Sequence, residues 1–375
     1  MSSHAPHLPF ALDPLIAEAK RRARRRRFVV AVGVVLLGVA ALLALQLPSS
    51  GGGASGGLVA TRSPNGLSIP TGANGIAVIV YGRLSVTTKT GFHIHGVPAR
   101  EGALAPGARY VAAEMGQSLT EIAPNGRRVW SHRIGVPVAN CGACNSVAAI
   151  AWSPNGSQIA YLVRDSMNSR AQGLHVIWRD GTHDTVIDRD ARSGSLSWRA
   201  DSRALAYIGA RSRPTIYDLA KNSRHVISWH LARSPATRVA FAPHGRELAI
   251  RAETAALLVG SGDNVVWRGQ TQTVNWVGDR LAVSERIAPS GRSVTQLYTV
   301  TGSRATLSRT LRLPGPIIAA RGRTIALEDG NRVLAGRLGA LRRVFRFTVK
   351  PCSDSAGTLV LSCEIPMGWR DISLG

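Results

Sequence analysis

The chain has 375 residues, 45% of them hydrophobic, and carries a formal net charge of +24 from 46 basic and 22 acidic residues. That length holds one large repeat domain and an anchor. A sequence pI near 11.5 invites a nucleic-acid reading, but an uncharged apolar segment beside the densest basic cluster assigns that cluster to a membrane surface instead, and no nucleic-acid partner is expected.

Residues 1–27 form a basic tail that is expected to be cytosolic. Asp13-Pro14 reads as an N-cap and first helical position. Leu12, Leu15, Ile16, Ala19 and Ala23 follow at helical spacing, opposite the run from Lys20 to Arg27, which holds seven basic residues. Phe28 to Leu47 contains no charge, and 20 residues of helix rise about 30 Å, the thickness of a bilayer core. Arginines on its N-terminal side place that side in the cytoplasm and the bulk of the chain outside. A cleaved signal peptide is the rival reading. The long basic region and apolar run, and the lack of a small residue three positions before a cleavage point near Ala60, favour an uncleaved single-pass anchor. No cysteine stands directly after the span, which argues against a lipoprotein. Residues 48–72, with Gly51 to Gly57 at their head, read as a flexible linker. Gly53-Ala54-Ser55-Gly56-Gly57 has the letters of a G-x-S-x-G nucleophile turn, but it does not lie between a strand and a helix.

Residues 73–375 are organised around one recurring pattern: an apolar run ending in an aromatic, a Pro/Gly turn, and a second short apolar run. The best copies are Ala151-Trp152-Ser153-Pro154-Asn155-Gly156-Ser157-Gln158-Ile159-Ala160-Tyr161, the stretch from Leu196 to Tyr207, and the stretch from Val239 to Ile250. Weaker copies begin at Leu104, Val274 and Ile318. Pro presets the turn and Asn-Gly or His-Gly tolerates positive φ, so each copy predicts a β-hairpin. A spacing of about 35–47 residues is the period of propeller blades. Trp152, Trp198, Phe241 and Trp276 are the expected core residues between blades, with small alanines allowing close approach. Ile76 to Gly82 and Arg83 to Thr88 read as strands of a first blade without the tryptophan motif. Seven blades result, or six if these strands complete the last blade. Val344 to Val349 and Thr358 to Leu361 are candidates for the closing strand.

Trp152-Ser153-Pro154-Asn155-Gly156 followed by Ile159-Ala160-Tyr161 resembles the repeat of TolB-like, WD-repeat-like β-propellers, whose consensus is close to W-S-P-D-G-x-x-I-A-F. The resemblance covers about residues 100–330 and is strongest over 147–252. It implies an all-β propeller of bacterial type. The family includes periplasmic translocation proteins, propeller-bearing lipoproteins and the gating propellers of prolyl-oligopeptidase-like enzymes. The chain departs from TolB in having no α/β domain ahead of the repeats.

Four cysteines fall in two local pairs, Cys141 with Cys144 and Cys352 with Cys363. In an extracytoplasmic domain such pairs suggest two structural disulfides. A four-cysteine metal site and a redox role are the alternatives, but a second CxxC is missing and the first precedes a strand rather than a helix. His93 and His95 share a strand face and are more simply packing residues than metal ligands. Asp188 and Asp190 lack the loop glycine of a calcium site. Asn155, Asp201 and Asp279 fit turn chemistry. No cofactor is expected.

Excluding residues 1–27, the chain holds 39 basic and 20 acidic residues, a net charge of +19. This suits an anionic envelope polymer or lipid headgroups. Arginine far outnumbers the four lysines, as a GC-rich genome would also produce. Arg164, Arg170, Arg211, Arg213, Arg251 and Arg286 follow the second strands of the repeats and are the candidate contacts for an anionic partner. The function expected is a non-catalytic binding or scaffolding module of the bacterial cell envelope. A propeller hydrolase or lyase with a site at the central channel, and an envelope sensor, are the alternatives.

Overall fold

The computed structural model describes residues 73–80, 83–89, 93–123, 125–134, 145–165, 172–191, 193–228, 234–253, 255–260, 263–286, 292–329, 332–346, 352–353, 359–360 and 372–374. Residues 1–56 and 57–375 are two compact units, and the first lies wholly outside the described residues. The basic tail, the apolar segment 28–47 and the linker 48–72 are therefore not described. Among the described residues no helix is long and apolar enough to cross a membrane.

The second unit is a seven-bladed β-propeller built from antiparallel four-stranded sheets. Three strands open it: β1 (Gly75–Val80), β2 (Arg83–Thr88) and β3 (His93–Pro98). Six blades then follow in chain order, each running from its innermost to its outermost strand. Blade 1 is β4 (Gly102–Leu104), β5 (Val111–Met115), β6 (Ser118–Ile122) and β7 (Arg128–Arg133). Blade 2 is β8 (Asn145–Trp152), β9 (Gln158–Asp165), β10 (Gly173–Trp178) and β11 (Thr185–Asp188). Blade 3 is β12 (Ser193–Trp198), β13 (Ala204–Ile208), β14 (Pro214–Asp218) and β15 (Ser223–Val226). Blade 4 is β16 (Arg238–Phe241), β17 (Leu248–Arg251), β18 (Ala255–Val259) and β19 (Val265–Gln270). Blade 5 is β20 (Thr273–Val277), β21 (Arg280–Arg286), β22 (Ser293–Thr301) and β23 (Arg304–Leu313). Blade 6 is β24 (Ile317–Arg321), β25 (Thr324–Asp329), β26 (Arg332–Arg337) and β27 (Ala340–Arg346). A two-stranded hairpin, β28 (Cys352–Ser353) with β29 (Leu359–Val360), precedes the last strand, β30 (Ile372–Leu374).

The seventh blade closes the ring. Its strand order is β3-β2-β1-β30, so the C-terminal strand is innermost and pairs Ile372 with Val78 and Leu374 with Ile76. This corrects the expected closing strand. Val344 lies in β27, the outermost strand of blade 6, and Leu359–Val360 pairs with Cys352–Ser353 instead. Ile372-Ser373-Leu374 alternates over three residues only, too short a run from which to read a strand; what makes it one is the unpaired edge of β1.

Every recurring turn of the sequence joins the two innermost strands of a blade. The turn after Trp152 closes through Ser153 N to Gln158 O at 2.9 Å, with Gly156 at φ 71°. Asn155 Oδ1 accepts from the Ser157 amide at 3.0 Å, the role expected of an Asx turn. In blade 3 Asp201 accepts from the Arg203 amide at 2.9 Å, and Ser202 takes the left-handed position at φ 60°.

Second strands are buried on both faces by neighbouring blades, so they read as unbroken apolar runs; β13 is buried throughout. Outermost strands face solvent, and all four residues of β15 are exposed. One position in the second strand is alanine in all seven blades: Ala77, Ala112, Ala160, Ala206, Ala249, Ala282 and Ala326, each at most 1% exposed. Ile76-Ala77-Val78 is thus a seventh repeat copy. It lacks the tryptophan because its inner strand comes from the other end of the chain.

Candidate anion-binding site

The repeat aromatics lock successive blades together. Trp152 Nε1 donates to the Ala103 carbonyl, Trp198 Nε1 to that of Ala151, and Trp276 Nε1 to that of Ala240, each at 3.0 Å. In every case the acceptor is on the innermost strand of the preceding blade, one residue before that blade's own aromatic or its equivalent. All three indoles, and Phe241 in the fourth position, are 7–8% exposed. Phe241 has no ring donor; there the contact to blade 3 runs through backbone, with Val239 N and Phe241 N donating to Ser195 Oγ and Ser197 Oγ at 2.9 Å. Arg238 reaches along the inner strands to Asn275 Oδ1 at 3.0 Å and to the Ile318 carbonyl at 3.3 Å. These groups build the ring; they are occupied.

The groove between blades 1 and 2 is polar and also occupied. Trp130 Nε1 donates to Glu121 Oε2 at 2.8 Å, and Arg179 lies 3.5 Å from the same carboxylate while stacking over Tyr110 at 4.1 Å. Asp184 accepts from both His132 Nε2, at 3.2 Å, and His175 Nδ1, at 3.3 Å. Burial alone would raise the Asp184 carboxyl; the bond to His175, its charge, and the Tyr161 hydroxyl together bring it below the ordinary aspartate value. Among the described residues no three His, Cys, Asp or Glu side chains are arranged to hold a metal.

Between blades 2 and 3 lies a cavity of about 270 Å³, lined by Asp188, Ala210, Arg211, Arg213, Thr215, Arg224 and Val226. Asp188 ends β11, Arg224 and Val226 lie on β15, and the other four belong to the connection between β13 and β14 and its flank. The connections between second and third strands all emerge on the face opposite the repeat turns, because the strands alternate in direction. Asp188 is 6% exposed. It accepts from Tyr207 Oη at 2.5 Å and from its own turn through Asp190 N at 2.9 Å, and Arg224 Nη1 stands 3.4 Å from both of its oxygens. Burial, then the Asp188 hydrogen bond and charge, push the Tyr207 phenol far up, so it stays a donor.

The connection itself is held in a sparsely populated conformation. Arg211 has φ 53° and Ser212 φ 56°, two successive non-glycine residues in the left-handed region, at a cost of about 1–3 kcal/mol each. Hydrogen bonds impose this turn: Gly209 N donates to the Arg213 carbonyl at 2.8 Å, and the Thr215 side chain donates through Oγ1 to the same oxygen at 3.2 Å. The result places Arg211 and Arg213, both exposed, beside Arg224. The guanidiniums of Arg211 and Arg213 make no hydrogen bond or ion pair with any described residue. Three arginines thus line one cavity with a single acidic residue, whose carboxylate already has its partners.

Of the six arginines expected to meet an anionic partner, Arg211 and Arg213 enter this cavity. Arg164 is exposed at the end of β9. Arg251 is engaged: Nε donates to the Ala252 carbonyl at 3.0 Å and Nη1 to that of Gln272. Arg286 ends β21 but its side chain is not described, and Arg170 lies outside the described residues. So do Cys141, Cys144 and Cys363; Cys352 is described only as backbone of β28. His93 contacts Thr87 Oγ1 at 3.3 Å, and the His95 side chain is not described. Arg224 and Asp188 were not legible as site residues, since they come from different blades and meet only through the curvature of the ring. No sequence signal marks Arg224.

No family model matches the sequence, and no curated protein is similar to it at a significant level. Solved structures are similar in fold. The β-propeller domain of Swd1 (Cps50) from Myceliophthora thermophila is 10% identical, with a TM-score of 0.48, covering 65% of this chain and 84% of that one. A TolB protein of Agrobacterium tumefaciens is 13% identical, with a TM-score of 0.40, covering 72% of this chain and 87% of that one.

Proposed function

We propose that this propeller is a non-catalytic binding module of the bacterial cell envelope, tethered by an N-terminal membrane span and facing outward. The observation that carries the binding role is the cavity between blades 2 and 3, lined by Arg211 and Arg213, whose guanidiniums have no partner among the described residues, on one loop face of the ring. Arginine presents a planar fork of donors suited to oxyanions, and it cannot be neutralised near neutral pH. The tether rests on the sequence: the run from Lys20 to Arg27 stands directly before the uncharged segment 28–47, and positive charge stays on the cytoplasmic side.

Two measurements test the reading. Protease added to intact spheroplasts removes the residues beyond about Pro48; a protected propeller overturns the orientation. Full-length chain in uncharged detergent is retained on purified cell wall at low salt and released as salt rises, because exposed charges are screened beyond about 8 Å at physiological ionic strength. No retention at low salt overturns the envelope-binding role.

A further inference from the structure

We infer that the cavity between blades 2 and 3 is a phosphate-recognition site, taking phosphodiester groups of a polyol or sugar-phosphate polymer. The inference rests on the reading of the propeller as a binding module and names the chemistry of its ligand. Arg211 and Arg213 reach the cavity from one blade-3 connection and Arg224 from the outer strand of the same blade. A tetrahedral phosphoryl group has oxygens pointing in several directions and can meet guanidiniums arriving from two sides, whereas a planar carboxylate is satisfied by a single fork. Arg224 is already oriented by Asp188, at 3.4 Å from each carboxylate oxygen, and Asp188 is fixed in turn by Tyr207. One cationic wall is therefore set before any ligand arrives, and Arg211 and Arg213 supply the uncompensated charge.

The remaining lining suits what a phosphodiester carries on either side. Ala210 and Val226 are exposed and apolar, and Val226 is 41% exposed on the solvent-facing strand β15. They form a surface for the CH and CH₂ groups of a glycerol, ribitol or sugar unit. A cavity of about 270 Å³ has room for about nine waters at ~30 Å³ each, enough for a phosphate and part of its neighbouring polyol. Its lining comes from the outermost strands β11 and β15 and the β13–β14 connection with its flank, with no residue of an innermost strand, so a long polymer can reach it without threading the channel.

The test uses full-length chain in uncharged detergent. Titration calorimetry reads binding of methyl phosphate and of poly(glycerol phosphate), with polyglucuronate as the carboxylate polymer. Phosphatidylglycerol vesicles, assayed by flotation, test the lipid source of the same phosphate. The variants are Arg211→Ala/Arg213→Ala and, as a control of equal charge, Arg304→Ala/Arg309→Ala on the solvent-exposed strand β23. The expected result is binding of both phosphate probes by the native chain and the control. The cavity variant loses tenfold or more for both probes, with unchanged vesicle flotation and a thermal unfolding midpoint matching the native chain. Equal losses in the two variants overturn the site in favour of diffuse charge. Polyglucuronate binding as tightly as the phosphate polymer overturns the phosphate assignment, and a loss confined to vesicles overturns the polymer. Methyl phosphate bound at the cavity by a chain that cell wall does not retain leaves the site standing and removes the envelope reading. Wall retention unaffected by the cavity variant does the reverse.

Discussion

Replacing Trp152 separates the two jobs that the repeat tryptophan performs. Its ring is 8% exposed and packs among Ala103, Ala105, Leu119, Val147, Ile159 and Tyr161, while Nε1 donates to the buried Ala103 carbonyl at 3.0 Å. Trp152→Phe keeps most of the packing and removes the second donor to a buried carbonyl, which costs about 1–2 kcal/mol. Trp152→Ala removes the ring as well and costs about 3–5 kcal/mol. Urea unfolding followed by far-ultraviolet circular dichroism reads both. With a denaturant slope of about 3 kcal/mol/M, the midpoint falls by about 0.3–0.7 M for Phe and about 1–1.7 M for Ala. Asn155→Asp, three residues on, retains the oxygen that accepts from Ser157 and leaves the midpoint within about 0.2 M of the native chain. Equal midpoints for Trp152→Ala and native protein refute the interblade lock. A Phe variant as damaged as the Ala variant refutes the division between packing and hydrogen bond.

Two further outcomes follow from the structure, and a third from the cysteine spacing of the sequence. Glu114 is fully buried with neither carboxylate oxygen hydrogen-bonded, and burial pushes it up to about 7 from 4.5, with Arg100 and the nearby Val147 amide only partly offsetting. A raised folded-state value means the native protein holds a proton that the unfolded chain releases. The contribution of Glu114 to stability is therefore greatest below about pH 4.5, declines by about 3 kcal/mol up to about pH 7, and is level above it. Glu114→Gln removes this decline, and parallel urea midpoints for the two proteins from pH 4.5 to 8 refute it. Ala160, completely buried at the shared position of the second strands, has no room for added methylenes; Ala160→Leu costs about 1–3 kcal/mol, and a native-like melting temperature refutes the close approach of blades. If the proposed envelope location holds, mass mapping of unreduced peptides is expected to yield Cys141–Cys144 and Cys352–Cys363 bonds, and free thiols or a cross-pairing refute the assignment.

Blade structure was legible because most blades begin with a local signal. In blades 2 to 5 an aromatic, a Pro/Gly or Asp-containing turn and an I/L/V-Ala pair all fall within about a dozen residues, and local hairpins need no distant partner to be recognised. The tryptophans were legible as bulk but not as donors, since their acceptors at Ala103 and Ala151 lie nearly 50 residues away in the preceding blade. The closing strand was illegible for the same reason: Ile372–Leu374 becomes a strand only against Ile76–Val78. For the cavity, Arg211 and Arg213 could be placed by their position after a second strand. Asp188 was read only against a calcium loop, and nothing local connects it with Arg224, 36 residues on.

Closing the ring with β30 also sets a schedule for its synthesis. Roughly 300 residues separate the pairing segments of β1 and β30, and at about 5–20 residues per second the ribosome takes about 15–60 s to make them. Throughout that interval the apolar edge of β1 is complete but unpartnered, long after its hairpin with β2 can form in microseconds. An open edge of this kind templates pairing with other chains. The nascent protein therefore carries an unpartnered edge until its last strand emerges, and closure of the ring is the last pairing that its synthesis allows.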